Sequence, residues 1–366
     1  MTLTYSSVPR PAAARPPRPP VLRALLSVLT ALAALSALLL SAPGTLAAPA
    51  AADDRAAGPG AGAGAIPYAG TIEQVSGFGT NPGALTMYRY TPPGLPSGRP
   101  VVVVLHGCTQ TAPDYGTRSG WLQLADRWGF SVVLPGQTTL NNLNRCFNWF
   151  LTGDITRGRG EAESIRQMAD RQLADTGGDR SRVYVTGLSA GGGMTAVMTA
   201  AYPDRFAGGG VVAGLPYGCA QAAGSPYVCM YVGATQTPDQ WGDRVRAAAP
   251  AGYTGPWPRM TVVQGTADTT VRPVNMTDLV AQWTDVHGTD RTPDATDTVA
   301  GQPHHVYRNA GGTTVVDTYT INGMGHGQPV APGTGPQQCG STGPYLLDVG
   351  LCAAHWIGTG WGLDRA

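Results

Sequence analysis

Hydrophobic residues fall in short continuous runs between longer amphipathic stretches, and one such junction organises the chain. Val183-Tyr184-Val185 reads as a short buried strand and Met194–Ala200 as a helix, with Gly187-Leu188-Ser189-Ala190-Gly191 between them. Upstream, Ala84–Tyr90 alternates as an edge strand does, and Val101–Leu105 is an apolar run of the kind buried on both faces of a sheet. Ser119–Trp128 is an expected helix, followed by a strand at Phe130–Leu134. In a second expected helix, Glu161–Ala174, the residues Ile165, Met168 and Leu173 share one side. Further strands are expected at Gly209–Ala213, Met260–Gln264, Val306–Asn309 and Thr314–Ile321, and helices at Asp239–Ala248, Pro273–Val286 and Cys352–Ile357. Strands alternating with helices specify an α/β fold, a mostly parallel central sheet with helices on both faces. Chemistry in such sheets gathers at the carboxyl ends of the strands.

The N-terminal pattern is different. Residues 1–23 carry Arg10, Arg15, Arg18 and Arg23 and no acid, residues 24–40 are uncharged and almost wholly apolar, and small residues follow at Ala47–Ala50. This predicts a secretory signal peptide over residues 1–47. An uncleaved membrane anchor is the alternative, because the apolar stretch is near the shortest that spans a bilayer. Residues 48–66 lack the large apolar side chains of a core and read as a flexible Ala/Gly/Pro-rich leader, which leaves 67–366 as one globular domain.

Charge narrows the partners. The net charge is +1, charged residues make up 13%, and every basic residue is Arg. No basic patch suggests nucleic acid, and no stable membrane association is expected after cleavage. Cys108, Cys146, Cys219, Cys229, Cys339 and Cys352 form an even set behind an export signal, with no zinc or redox spacing among them. They are expected to be disulfide-bonded. Sequence leaves the connectivity open; the preferred set joins the close neighbours Cys219 with Cys229 and Cys339 with Cys352, leaving Cys108 with Cys146.

The Gly187–Gly191 junction carries the candidate chemistry. A strand turning sharply into a helix lifts the Ser189 hydroxyl above the sheet, and glycines two positions either side avoid collision. A serine nucleophile needs a base, an acid that orients the base, and amides that receive an oxyanion. The acid is expected at Asp268, in the loop directly after the Met260–Gln264 strand; Asp239, Asp243 and Asp278 fall on expected helices. The base is expected at His326, in the glycine-flanked loop after Thr314–Ile321, whereas His287, His304, His305 and His355 read as ordinary surface histidines. The oxyanion site is expected from the loop His106-Gly107-Cys108, with the amide of Ala190 as the second donor. Trp149, within Cys146–Phe150, is a candidate apolar wall for an acyl chain, against its alternative as core.

The blocks LHGCTQTA from Leu105, NRCFNWF from Asn144, GLSAGGGMT from Gly187, AGLPYGCA from Ala213, QGTADTTV from Gln264 and GMGHG from Gly323 resemble the secreted polyhydroxybutyrate depolymerase family of esterases. That family is similar to feruloyl and acetylxylan esterases. The resemblance covers about Tyr68 to Leu363 and implies the α/β-hydrolase fold, Ser189 as nucleophile, Asp268 as acid, His326 as base, and His106 with Cys108 at the oxyanion site. It implies a secreted esterase acting on short-chain polyhydroxyalkanoate or its oligomers. A feruloyl or acetylxylan esterase is the second expectation, and a non-catalytic secreted binding protein the third. No metal and no organic cofactor is expected.

Overall fold

The structure, a computed structural model, describes residues 68–365; the expected signal peptide and the leader lie outside the described residues. Ten strands build the main sheet: β1 (Glu73–Val75), β2 (Thr86–Tyr90), β3 (Val101–Leu105), β4 (Ser131–Gly136), β5 (Val183–Leu188), β6 (Gly208–Val212), β7 (Arg259–Gly265), β8 (Ala295–Val299), β9 (Gln302–Arg308) and β10 (Thr314–Ile321). Their order in space is β1-β2-β4-β3-β5-β6-β7-β10-β9-β8. The six from β4 to β10 run parallel, and antiparallel hairpins extend both sides. This is the α/β-hydrolase architecture, and β5, the strand that leads into Ser189, lies at its centre.

The apolar run of β3 shows why the sheet is central. Val101, Val103 and Leu105 enter one core with the Gly160–Thr176 and Ala190–Ala201 helices, while Val102 and Val104 enter another with the Trp121–Trp128 and Ala353–Gly360 helices. Successive side chains point to opposite faces, so a strand covered on both has no polar positions.

Two expectations about the sheet change. The Ala84–Tyr90 segment is not the edge, because β1 pairs outside it with Val75 opposite Met87. Three residues, two of them exposed, gave β1 no periodic signal. The far side likewise gains β8, whose sequence ATDTV is mostly exposed and polar. Short polar edge strands are held by ladder hydrogen bonds rather than by burial.

Candidate active site

The turn after β5 is held by close backbone packing. Ser189 has φ 58° and ψ −117°, a conformation that costs energy for a residue with a side chain. Its N–H donates to the Val212 carbonyl at 2.9 Å, and its carbonyl accepts from the Gly193 N–H at 2.9 Å. A Cβ on Gly187 would lie 2.5 Å from the Gly191 carbonyl group, and one on Gly191 would lie 2.3 Å from the Leu105 oxygen. Both glycines are therefore required by contact with main chain, which cannot move aside as a side chain can.

The neighbouring strands β7 and β10 deliver the other two groups. His326 Nε2 lies 2.9 Å from Ser189 Oγ and its Nδ1 2.7 Å from Asp268 Oδ2. Asp268 is buried, and its other oxygen accepts from the Thr270 and Val271 amides at 2.8 and 2.9 Å. Gln264 Nε2 donates to Oδ2 at 3.1 Å. With its lone pairs occupied by donors, Asp268 is held as an acceptor for the His326 ring, which keeps Nε2 free to face the serine.

On the opposite side, the loop after β3 brings Cys108 to the wall of the cavity that Ser189 and His326 line. Neither the Cys108 N–H nor that of Ala190 has an acceptor among the described residues. The Ala190 amide opens a helix, where N–H groups have no intrahelical partner. The His106 ring lies within the fold and does not reach the pocket: its Nε2 accepts from the Gln137 N–H at 3.1 Å, which leaves Nδ1–H to donate to the Gly107 carbonyl at 2.8 Å. Burial pushes its pKa down to about 4, so it stays neutral. His106 thus fastens the loop and leaves the charge chemistry to others. The disulfide Cys108–Cys146 ties the same loop to the one after β4; Cys219–Cys229 and Cys339–Cys352 are the other two bridges.

Ser189 and His326 open on a cavity of about 140 Å³ walled by Leu188, Met230, Thr270, Tyr345 and Cys108. Larger hollows occur elsewhere. One of about 620 Å³ lies at the opposite ends of the strands beside Tyr253, Trp257 and Arg259, away from Ser189. Trp149, a candidate for the acyl wall with core as its alternative, packs in the core. Gly193 leaves room for it, since a Cβ there would come within 2.8 Å of the indole Cγ, and Phe150 meets it edge-on at 5.6 Å. The wall residues Met230 and Tyr345 carried no sequence signal, because neither lies near a strand end of the parallel core. Gln264 did stand in a recognised block, but a side chain inside a strand gave no sign of its partner.

Three of the remaining histidines, His287, His304 and His355, have structural partners. His287 and His355 are more buried than surface residues, His287 donating to the Pro258 carbonyl at 3.0 Å and His355 packing on Trp128. His304 pairs with Asp297 at 2.7 Å.

A strained serine at a strand-to-helix elbow, with an imidazole set between it and a buried carboxylate, defines a serine hydrolase of the α/β-hydrolase class. The chain matches the esterase PHB depolymerase family over residues 85–302 and belongs to that family of carboxylic-ester hydrolases. Poly(3-hydroxyalkanoate) depolymerase C of Paucimonas lemoignei is 53% identical over 292 residues, 80% of this chain and 70% of that protein. An acetylxylan esterase of Coprinopsis cinerea is 37% identical over 269 residues, 71% of this chain and 70% of that protein. Among solved structures, the acetyl xylan esterase from Aspergillus awamori matches with a TM-score of 0.64 at 32% identity, covering 70% of this chain and 94% of that one.

Proposed function

We propose that this esterase is exported and hydrolyses short-chain poly(3-hydroxyalkanoate), or its oligomers, through an acyl-enzyme on Ser189. The observation that carries the reading is the Ser189–His326–Asp268 series opening on a small, mainly apolar cavity, in a chain 53% identical to a poly(3-hydroxyalkanoate) depolymerase. As Ser189 Oγ attacks the ester carbonyl, His326 Nε2 takes its proton and Asp268 stabilises the imidazolium. The carbonyl oxygen gains charge and accepts from the Cys108 and Ala190 amides. Collapse expels the alcohol with a proton from His326. Water, deprotonated by the same nitrogen, then releases the acid.

The surroundings favour an uncharged aliphatic substrate. A cavity of about 140 Å³ has room for a four-carbon acyl unit and is small beside the roughly 300–1,000 Å³ of pockets that enclose drug-sized ligands. No charged residue occurs from 206 to 238, the segment that brings Met230 to the wall and exposes Tyr227, Tyr231 and Val232. An acetylxylan substrate is the second reading, supported by the Aspergillus awamori likeness and by the still smaller acetyl group.

Hydrolysis of 3-hydroxybutyrate oligomers, acetylated xylan and methyl ferulate, compared side by side, tests the assignment. The oligomers are expected to be preferred, and Ser189→Ala is expected to lower kcat by about 10⁶-fold. A preference for acetylated xylan moves the protein to the second reading. Export is supported by the basic and apolar N-terminal pattern and the three disulfides. Mass spectrometry of the protein in culture medium is expected to find an N-terminus near Ala48.

A further inference from the structure

Behind the oxyanion loop lies an acid that the reaction itself does not use. Glu161, in the first turn of the Gly160–Thr176 helix, is wholly buried, and no arginine pairs with it among the described residues. An acid without a counter-charge is an expensive group to bury. It is compensated by one loop. Oε1 accepts from Gln137 Nε2 at 2.6 Å, Asn148 Nδ2 at 2.7 Å and Asn141 Nδ2 at 3.0 Å, while Oε2 accepts the Asn148 N–H at 2.8 Å. Four donors from residues 137–148 converge on a group that, when ionised, only accepts.

The same loop grips the oxyanion loop at four further points. The Gln137 N–H donates to His106 Nε2 at 3.1 Å, and the Thr109 N–H donates to the Asn144 carbonyl at 2.7 Å. Arg145 donates to the Thr109 carbonyl at 2.7 Å, and Cys146 is bonded to Cys108. The outer part of this loop has little apolar anchorage, with Leu140 fully exposed and Leu143 nearly so. Its inner anchors are the buried Phe147 ring, 4.9 Å from the His106 ring, and the Glu161 carboxyl group, carried on a helix that packs against the sheet.

We infer that Glu161 is a positioning residue for ester hydrolysis: it fixes the 137–148 loop and, through the loop's bonds to residues 106–109, aims the Cys108 amide at the developing oxyanion. The inference rests on the proposed reading of Ser189 as nucleophile and Cys108 as oxyanion donor. A misaimed donor weakens binding of the transition state more than binding of the substrate, so the effect falls on kcat. In Glu161→Gln an NH₂ replaces one acceptor and must face one of the donors. The loop then loses its fixed geometry, although side-chain volume is kept.

The test uses a p-nitrophenyl alkylphosphonate, in which Ser189 Oγ forms a bond to phosphorus as p-nitrophenolate leaves, to count active sites and to time their labelling. Wild type is expected to be labelled and Ser189→Ala not; failure of this control overturns the nucleophile reading, and the Glu161 inference falls with it. With the control in place, Glu161→Gln is expected to lose roughly tenfold to a hundredfold in kcat per titrated site, part of the roughly 10²–10³-fold that one oxyanion donor contributes. KM should stay within about threefold, and phosphonylation should slow in parallel with kcat. In a Cys108→Ala/Cys146→Ala background the same substitution should cost less, because the route to Cys108 is already weakened. Should Glu161→Gln not fold, Asn141→Ala, which removes one donor, is expected to lower kcat about threefold with KM unchanged. A Glu161→Gln protein, or failing it an Asn141→Ala protein, that melts at lower temperature but retains wild-type kcat and labelling rate would overturn the inference, since that pattern belongs to stability alone.

Discussion

The two sides of Ser189 are built by different means. On the acid and base side, β7 and β10 are adjacent parallel strands, and the loops that leave them are joined directly by main chain. Thr266 N–H donates to the Ile321 carbonyl and Ala267 N–H to the Met324 carbonyl, both at 3.0 Å, and a Cβ on Gly265 would lie 2.3 Å from the Met324 oxygen. On the Cys108 side, proposed to receive the oxyanion, β3 and β4 are also adjacent, but the loop after β4 is long, and it is held by a disulfide, an arginine and a buried carboxyl group. Short loops inherit their positions from the sheet. Long ones need cross-links, because the entropy of an irregular segment must be overcome by contacts made elsewhere.

This contrast can be broken at graded points. Asp268→Asn should have the largest effect on the acid and base side. An amide presents the wrong partner to His326, and kcat should fall by about 10⁴-fold with the fold intact, as measured by steady-state kinetics and circular dichroism. Removing the Cys108–Cys146 bridge with paired alanines should cost about 3–4 kcal/mol of stability for a closed loop of 38 residues, measured by denaturant unfolding. It should also lower kcat about tenfold, since the Cys108 amide loses a tether and keeps its identity. A variant with wild-type kcat would show that hydrogen bonds alone hold that loop. Gln264→Leu should be milder, about tenfold in kcat, because Asp268 retains the Thr270 and Val271 amides when the 3.1 Å bond is lost.

The smallest effect serves as a control outside both sides. Arg166 beside Glu163, with help from the Tyr202 hydroxyl, holds that carboxyl down at about 2, against an ordinary value of 4.5. A depressed carboxylate contributes stability above its unfolded value, and that contribution is lost as pH falls from about 4.5 towards 2. Thermal melts should therefore find wild type more stable than Glu163→Gln at neutral pH, with the gap closing through that window and hydrolysis per titrated site unchanged at pH 7.

Much of the site was legible because its signals are local. Gly187 and Gly191 mark the elbow, Asp268 directly follows β7, and His326 follows β10 in a glycine-flanked loop. The parallel core was legible for the same reason: strands covered on both faces, such as β3 and β5, write continuous apolar runs. The exposed β1 and β8 had no such record, and the Ala84–Tyr90 segment was read as an edge because its covering strand was invisible.

By itself the sequence determined the α/β class and singled out Ser189, Asp268 and His326, in the chain order that the proposed mechanism uses, as residues that meet in one site. Only the tertiary structure decided that Trp149 fills a slot beside Gly193, that Met230 and Tyr345 wall the cavity, that His106 pins a loop, and that Gln264 and Glu161 hold the two sides. The reason is the range of the forces involved. Periodicity and turn chemistry report how a few consecutive residues meet the core, whereas these contacts join segments far apart in the chain, as when Gln110 Nε2 donates to the Pro344 carbonyl across 234 positions. Which distant side chains meet depends on strand order and packing, and those are settled by the whole chain at once.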